Sequence, residues 1–194
     1  MLTHLLYLHG FRSSPNSFKA QVVARWMREH RPDVVWCCPQ LPPSPREAMA
    51  LIESLTADWP REGMAVIGSS LGGFYAHIVA ERRACPAVLL NPAVHPARDL
   101  AKYIGEHPAW HDPNQKIYFK PEYVAELEAL EGAPVAHPDR IFCIVAKGDE
   151  VLDWREMAAR YVQSKLRLLE GGDHALSDFE QVQFAAVLEH LRLA

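Results

Sequence analysis

The sequence predicts an α/β fold, a mostly parallel sheet of about six strands flanked by helices. Three observations carry that prediction. Six short apolar runs recur along the 194 residues. None alternates apolar with polar, the pattern of strands covered on both faces. Helical patterns fill most intervals between the runs, and repeated strand–helix units assemble as a parallel sheet with helices packed on it. The length suits one domain over residues 1–194. Hydrophobic content of 49% and charged content of 23% are those of an ordinary globular chain, which argues against a disordered one.

The runs fall at residues 5–8, 34–38, 64–67, 87–90, 141–145 and 166–169. Each is four or five residues long, too short for a helix and right for a strand. Helical spacing of apolar residues covers about 17–30, 45–58, 71–82, 153–164 and 177–192. Ser44 or Pro45 opens the second helix, and Ser177 with Glu180 reads as a capping box for the last. Residues 91–138 break the rhythm. They contain no obvious strand, seven prolines, and Tyr103, Trp110, Tyr118, Phe119 and Tyr123. Residues 123–130 read as a short amphipathic helix. A long excursion between two core strands is usually a functional loop, so 91–138 is expected to act like a lid.

Gly68-Ser69-Ser70-Leu71-Gly72 stands between the third run and the helix at 71–82. Strand, sharp turn and helix are the context of a Gly-x-Ser-x-Gly nucleophile elbow. Glycines two residues either side of Ser70 let strand and helix approach closely. The helix would aim free amides and its positive end at an oxyanion forming at Ser70. An active serine needs a base, and the base an orienting acid. In hydrolases built on this elbow the chain order is Ser, acid, His. Asp149, in Gly148-Asp149-Glu150 after the fifth run, is the acid candidate. Glu150 and Asp153 are close rivals, although Asp153 also suits a cap on the following helix. His174, in Gly172-Asp173-His174 after the sixth run, is the base candidate. His190 reads as a surface residue, and His77 as a packed helix residue. The oxyanion hole would take one amide from Leu71 and one from Phe11, in the loop after the first run. His9 in that loop reads as a structural hydrogen-bonding residue. Trp110, Tyr118, Phe119 and Tyr123 are candidates for the wall of an acyl pocket. Lys116 and Lys120 lie near them, where a solvated charge pair is the plainer role.

Other classes are disfavoured. A net charge of −4 without a basic cluster gives no case for nucleic acid or an anionic membrane. No apolar run approaches the length of a membrane span, and the first residues lack a signal-peptide pattern. Cys37, Cys38, Cys85 and Cys143 form no Cys-x-x-Cys pair, and Cys37 and Cys38 point to opposite faces of a strand. Reduced cysteines in a cytoplasmic protein are expected. His107 and His111 have metal-pair spacing, but Pro108 between them argues against a regular helix. No metal and no organic cofactor are expected.

The chain resembles the YqiA/YcfP-type esterases of the α/β-hydrolase superfamily. The resemblance rests on Leu8-His9-Gly10-Phe11-x-Ser13-Ser14-Pro15, Gly68-x-Ser70-x-Gly72-Gly73, Asn91-Pro92-Ala93, Gly148-Asp149-Glu150-Val151-Leu152-Asp153 and Gly172-Asp173-His174. It runs nearly end to end. It implies a compact hydrolase lacking the first two strands of larger relatives, a triad at Ser70, Asp149 and His174, and no cofactor. It also implies a small-molecule substrate, a carboxylic ester or an acyl thioester. Two other functions remain open: a serine peptidase or amidase on the same scaffold, and a hydrolase-like protein that binds without catalysis.

Overall fold

A computed structural model describes residues 1–110 and 112–193. In chain order the main elements are β1 (His4–Leu8), α1 (Phe18–His30), β2 (Val35–Cys37), α2 (Pro45–Thr56), β3 (Met64–Ser69), α3 (Leu71–Arg83) and β4 (Ala87–Leu90). Then come α4 (Pro96–Leu100), β5 (Gly105–Pro108), β6 (Lys116–Phe119), α5 (Pro121–Leu130), β7 (Ile141–Ala146), α6 (Trp154–Arg160), β8 (Lys165–Leu169) and α7 (Phe184–His190). Six strands form one sheet in the order β2-β1-β3-β4-β7-β8. Every pairing in it is parallel. This is a compact α/β-hydrolase fold, and all six expected strands are in it.

Alternation along the strands makes two cores, one on each face. Leu6, Leu8, Val66, Leu89 and Cys143 pack with α2 and α3. Leu5, Tyr7, Ala65, Ile67, Val88 and Ile144 pack with α1 and α7 on the other face. Cys37 and Cys38 divide between the two, as their adjacency in a strand requires. All four cysteines are free. Helix α3 is buried almost throughout, from Leu71 to Ala80. It sits unusually close to the sheet. A Cβ on Gly72 would fall 2.0 Å from the Leu8 carbonyl oxygen, and one on Gly68 would fall 2.1 Å from the Gly72 oxygen. Both obstacles are backbone, so only glycine permits this approach.

Ser44 caps α2 by accepting from the Glu47 amide, and Pro45 is its first residue. Four local expectations are corrected. Residues 91–138 contain a two-stranded antiparallel hairpin, β5 with β6, in register Gly105↔Phe119 and His107↔Ile117. Gly-Glu-His-Pro carries no apolar run, so that strand owes its form to pairing. The helix expected over 153–164 ends at Arg160. The last helix starts as a π turn, Phe179–Gln183, and no Ser177–Glu180 capping box forms. The Ser177 hydroxyl instead donates to Asp173, and Glu180 pairs with Arg25. His190 is half-buried rather than on the surface, with Nε2 on the Arg140 carbonyl and its ring beside Phe142.

Among the described residues no helix is long and apolar enough to cross a membrane. His77 is packed as expected, with Nε2 donating to the Ala133 carbonyl and its ring edge-on to Tyr161.

Candidate active site

β3 ends in mid-sheet, between β1 and β4, and the next residue is Ser70. Its backbone adopts φ 56° and ψ −121°. Positive φ is uncommon outside glycine and survives only where the surroundings over-determine it. Here they do. The Ser70 amide donates to the Leu90 carbonyl at 3.0 Å. Its own carbonyl accepts from Gly73, Phe74 and Ala93 at 2.9, 3.2 and 3.0 Å. The side chain is left projecting at the carboxyl edge of the sheet, where the loops after β1, β4, β7 and β8 converge.

Two of those loops bring the base and acid candidates to it. His174 Nε2 lies 3.0 Å from Ser70 Oγ. His174 Nδ1 lies 2.7 Å from Asp149 Oδ2. A carboxylate only accepts, so Nδ1 carries the ring proton and Nε2 is free to accept from the serine hydroxyl. The other Asp149 oxygen accepts from the Val151 and Leu152 amides, each at 2.8 Å. The Asp149 side chain is wholly buried, and that of His174 is 20% exposed. The rivals do other things. Glu150 accepts from the His174 amide at 3.0 Å. Asp153 caps α6 by accepting from the Arg155 amide at 2.9 Å.

The sequence reading included Asn91 in the Asn91-Pro92-Ala93 motif but missed its role. Asn91 follows β4 directly, is fully buried, and has φ 42°. Its Nδ2 donates to the carbonyls of Asp173 and His174, both at 3.1 Å. Its Oδ1 accepts from the Ala146 amide at 2.8 Å. One side chain thus ties the histidine loop to the end of β7, which leads to Asp149. The available signal was an Asn, a residue tolerant of left-handed backbone, between a strand end and a proline.

The loop after β1 closes the other side. His9 Nδ1 donates to its neighbour, the Gly10 carbonyl, while Nε2 accepts from the Leu41 amide at 3.1 Å. It is therefore spoken for structurally. Gly10 lies against the serine: a Cβ there would be 3.3 Å from Ser70 Cβ. The Phe11 and Leu71 amides have no hydrogen-bond partner among the described residues. Arg12, at φ 60°, ties this loop to the hairpin. Its Nε donates to the Pro108 carbonyl at 2.7 Å, its guanidinium stacks 4.2 Å over Trp110, and its carbonyl accepts from the Trp110 amide.

Two clefts flank Ser70. One, of about 310 Å³, is mainly apolar, with Phe11, Leu71, Leu100, Tyr103, Trp110 and Leu152 in its lining. The other, of about 500 Å³, is also mainly apolar but has a larger polar share, and includes Tyr7, Ser17, Lys19 and Ser177. Both touch His174 and Trp110. Of the four aromatic wall candidates, only Trp110 lines either cleft. β6 alternates, so Tyr118 faces outward while Phe119 is buried in the core, edge-on to Phe11 and Tyr123. Tyr123 packs against the same core. Lys116 pairs with Glu106 at the surface, and Lys120 lies near Glu122. No metal-binding cluster of three or more His, Cys, Asp or Glu occurs among the described residues. His111, the second member of the His107 pair, lies outside them.

A family model described as an uncharacterised protein family (UPF0227) matches residues 4–190. Similar solved structures share the fold at low identity. Mouse alpha/beta hydrolase domain-containing protein 10 is 15% identical with a TM-score of 0.75, covering 97% of this chain and 89% of its own. Est1E from Butyrivibrio proteoclasticus, with ferulic acid bound, is 17% identical with a TM-score of 0.73, covering 98% and 88%. A monoacylglycerol lipase from Paleococcus ferrophilus is 15% identical with a TM-score of 0.66, covering 98% and 95%.

Proposed function

The chain belongs to the UPF0227 family, and we propose that it is a serine hydrolase of carboxylic esters, with acyl thioesters as a second substrate class. The observation that carries this reading is the unbroken hydrogen-bonded path Ser70–His174–Asp149 on a serine held at positive φ. The esterase and lipase among the structural neighbours support ester substrates in particular.

In this reading Ser70 Oγ attacks the ester carbonyl carbon as its proton passes to His174 Nε2. Asp149 holds the ring and stabilises the imidazolium. The Phe11 and Leu71 amides receive the oxyanion. Collapse breaks the bond to the leaving oxygen or sulfur, which takes the proton from Nε2. Water then adds to the acyl-enzyme, with His174 again as base, and releases the acid. The apolar cleft suits a short to medium acyl chain. The proposal takes residues 1–194 as one domain and needs no cofactor, and it places the protein in the cytoplasm.

Hydrolysis of matched aryl esters, acyl thioesters and aryl amides by purified wild-type and Ser70→Ala protein tests it. Ester turnover lost in the variant is the expected result. Preferred cleavage of amides would instead make it an amidase. No turnover of any class, with equal behaviour of the variant, would make it a binding protein.

A further inference from the structure

The cleft of about 500 Å³ beside Ser70 has a feature that ester hydrolysis alone does not use. α1 begins in its lining with Ser17, Phe18 and Lys19. No side chain caps this helix, and its first turn contains no acidic residue. Thirteen residues of helix thus direct their positive end toward the cleft without a covalently supplied counter-charge. Lys19 stands in that same first turn, where a cation is unfavourable unless an anion joins it.

A second observation points the same way. Tyr7 lines this cleft and is fully buried, yet no group meets its hydroxyl in hydrogen-bond geometry. Ser17 lies near enough to favour the phenolate, but burial dominates and holds the phenol neutral. A buried hydroxyl without a partner costs about 1–3 kcal/mol, so a donor left in this state beside a cleft is poised for an acceptor. Lys19 donates to the Ala175 carbonyl, which leaves ammonium protons over. Burial lowers its pKa to about 8, against the pull of Asp173 and Asp149. Neither carboxylate makes a direct ion pair with it among the described residues. Asp173 is held by the Ser177 amide and hydroxyl, and Asp149 by His174 and two amides.

We propose that this cleft is an oxyanion-recognising subsite, which takes a carboxylate or phosphate group carried by the substrate on an arm beside the scissile ester. Lys19, the Tyr7 hydroxyl and the first amides of α1 are its donors. The proposal rests on the ester-hydrolase reading and narrows it: the substrate is an anionic ester, its apolar part in the other cleft and its charged part here.

The test compares neutral and anionic substrates in pairs of equal acyl-chain length. 4-Nitrophenyl hexanoate is set against mono-4-nitrophenyl adipate, which places a carboxylate at the end of the acyl arm. Phenyl butyrate is set against its 3-carboxyphenyl and 3-phosphophenyl counterparts, which place either anion in the alcohol arm. The expected result is a kcat/KM ratio favouring the anionic member in one arm. That ratio should fall about tenfold in Lys19→Met, the loss of one charge-assisted hydrogen bond, and recover in Lys19→Arg. Tyr7→Phe should lower it several-fold. Loss of the Ala175 tether alone would lower both members of a pair together and leave the ratio unmoved, which would overturn the proposal. So would a wild-type ratio at or below one in both arms. Calorimetric titration of adipate and inorganic phosphate into Ser70→Ala protein reads the subsite without turnover. Binding that Lys19→Met weakens supports it even if the ester panel is inactive. Its absence alongside active ester hydrolysis refutes the subsite and leaves the hydrolase reading standing.

Discussion

Replacing Asn91 should damage stability and turnover together, because one buried side chain holds three backbone groups. Asn91→Ala removes the donors to the Asp173 and His174 carbonyls and the acceptor for the Ala146 amide. The residue is fully buried, so water does not reach those groups without rearrangement. Orphaning a buried partner costs about 1–3 kcal/mol, and three are orphaned. Alanine at φ 42° adds about 1 kcal/mol that asparagine largely avoids. Some repacking lowers the total, and about 3–5 kcal/mol is expected, a large share of the roughly 5–15 kcal/mol that holds a domain folded. For a chain of this length that corresponds to a Tm lower by about 10 °C or more. Asn91→Asp is the sharper variant. It keeps the size and the Ala146 acceptor but sets a carboxylate oxygen against two carbonyls. Urea unfolding and thermal melts give the stability. Aryl-ester kinetics well below the melting point give kcat, expected to fall at least tenfold as the His174 loop loses its anchor. Wild-type stability and kcat in Asn91→Asp would refute the reasoning.

Asp149→Asn should lower kcat by about 10³–10⁴ with little change in KM, since an amide favours the wrong imidazole tautomer. Asp153→Asn should be nearly silent, because asparagine caps a helix as well as aspartate does; steady-state kinetics rank the two. Trp110→Ala should change kcat/KM unevenly across acyl lengths, by about 1–3 kcal/mol at the matched length, whereas Tyr118→Ala, on the outward face of β6, should not. Stability should fall as pH drops below about 6.5, the ordinary histidine value. Burial first, and then Arg160, lower the His77 pKa, and burial likewise lowers that of His190. The unfolded chain therefore binds protons that the folded one refuses. His77 Nδ1 has no partner, so a proton there would have no acceptor. Melts across pH should flatten in His77→Gln.

Much of this was readable from residue order because the sheet is parallel and buried. Continuous apolar runs mark such strands, and the elbow fixes which strand ends at Ser70. Asp149 and His174 were legible because each follows a core strand, and those strand ends share one edge. The hairpin was not, since Gly105-Glu106-His107-Pro108 has no strand signature and exists through its partner. Nor was the division of the aromatics. Neighbours in sequence such as Tyr118 and Phe119 separate to opposite faces only once β6 is known. The roles of Asn91 and Tyr7 were illegible for a different reason. Their significance lies in partners tens of residues away, or in the lack of one, and spacing along the chain shows neither.

The central claim is that Ser70 is a nucleophile activated by His174. Incubation with a fluorophosphonate, followed by intact-mass measurement and peptide mapping, tests it most directly. The account predicts one phosphonyl group per chain, on Ser70, absent in Ser70→Ala and formed far more slowly in His174→Ala. An unmodified wild-type protein, or label on another residue that persists in Ser70→Ala, would contradict it.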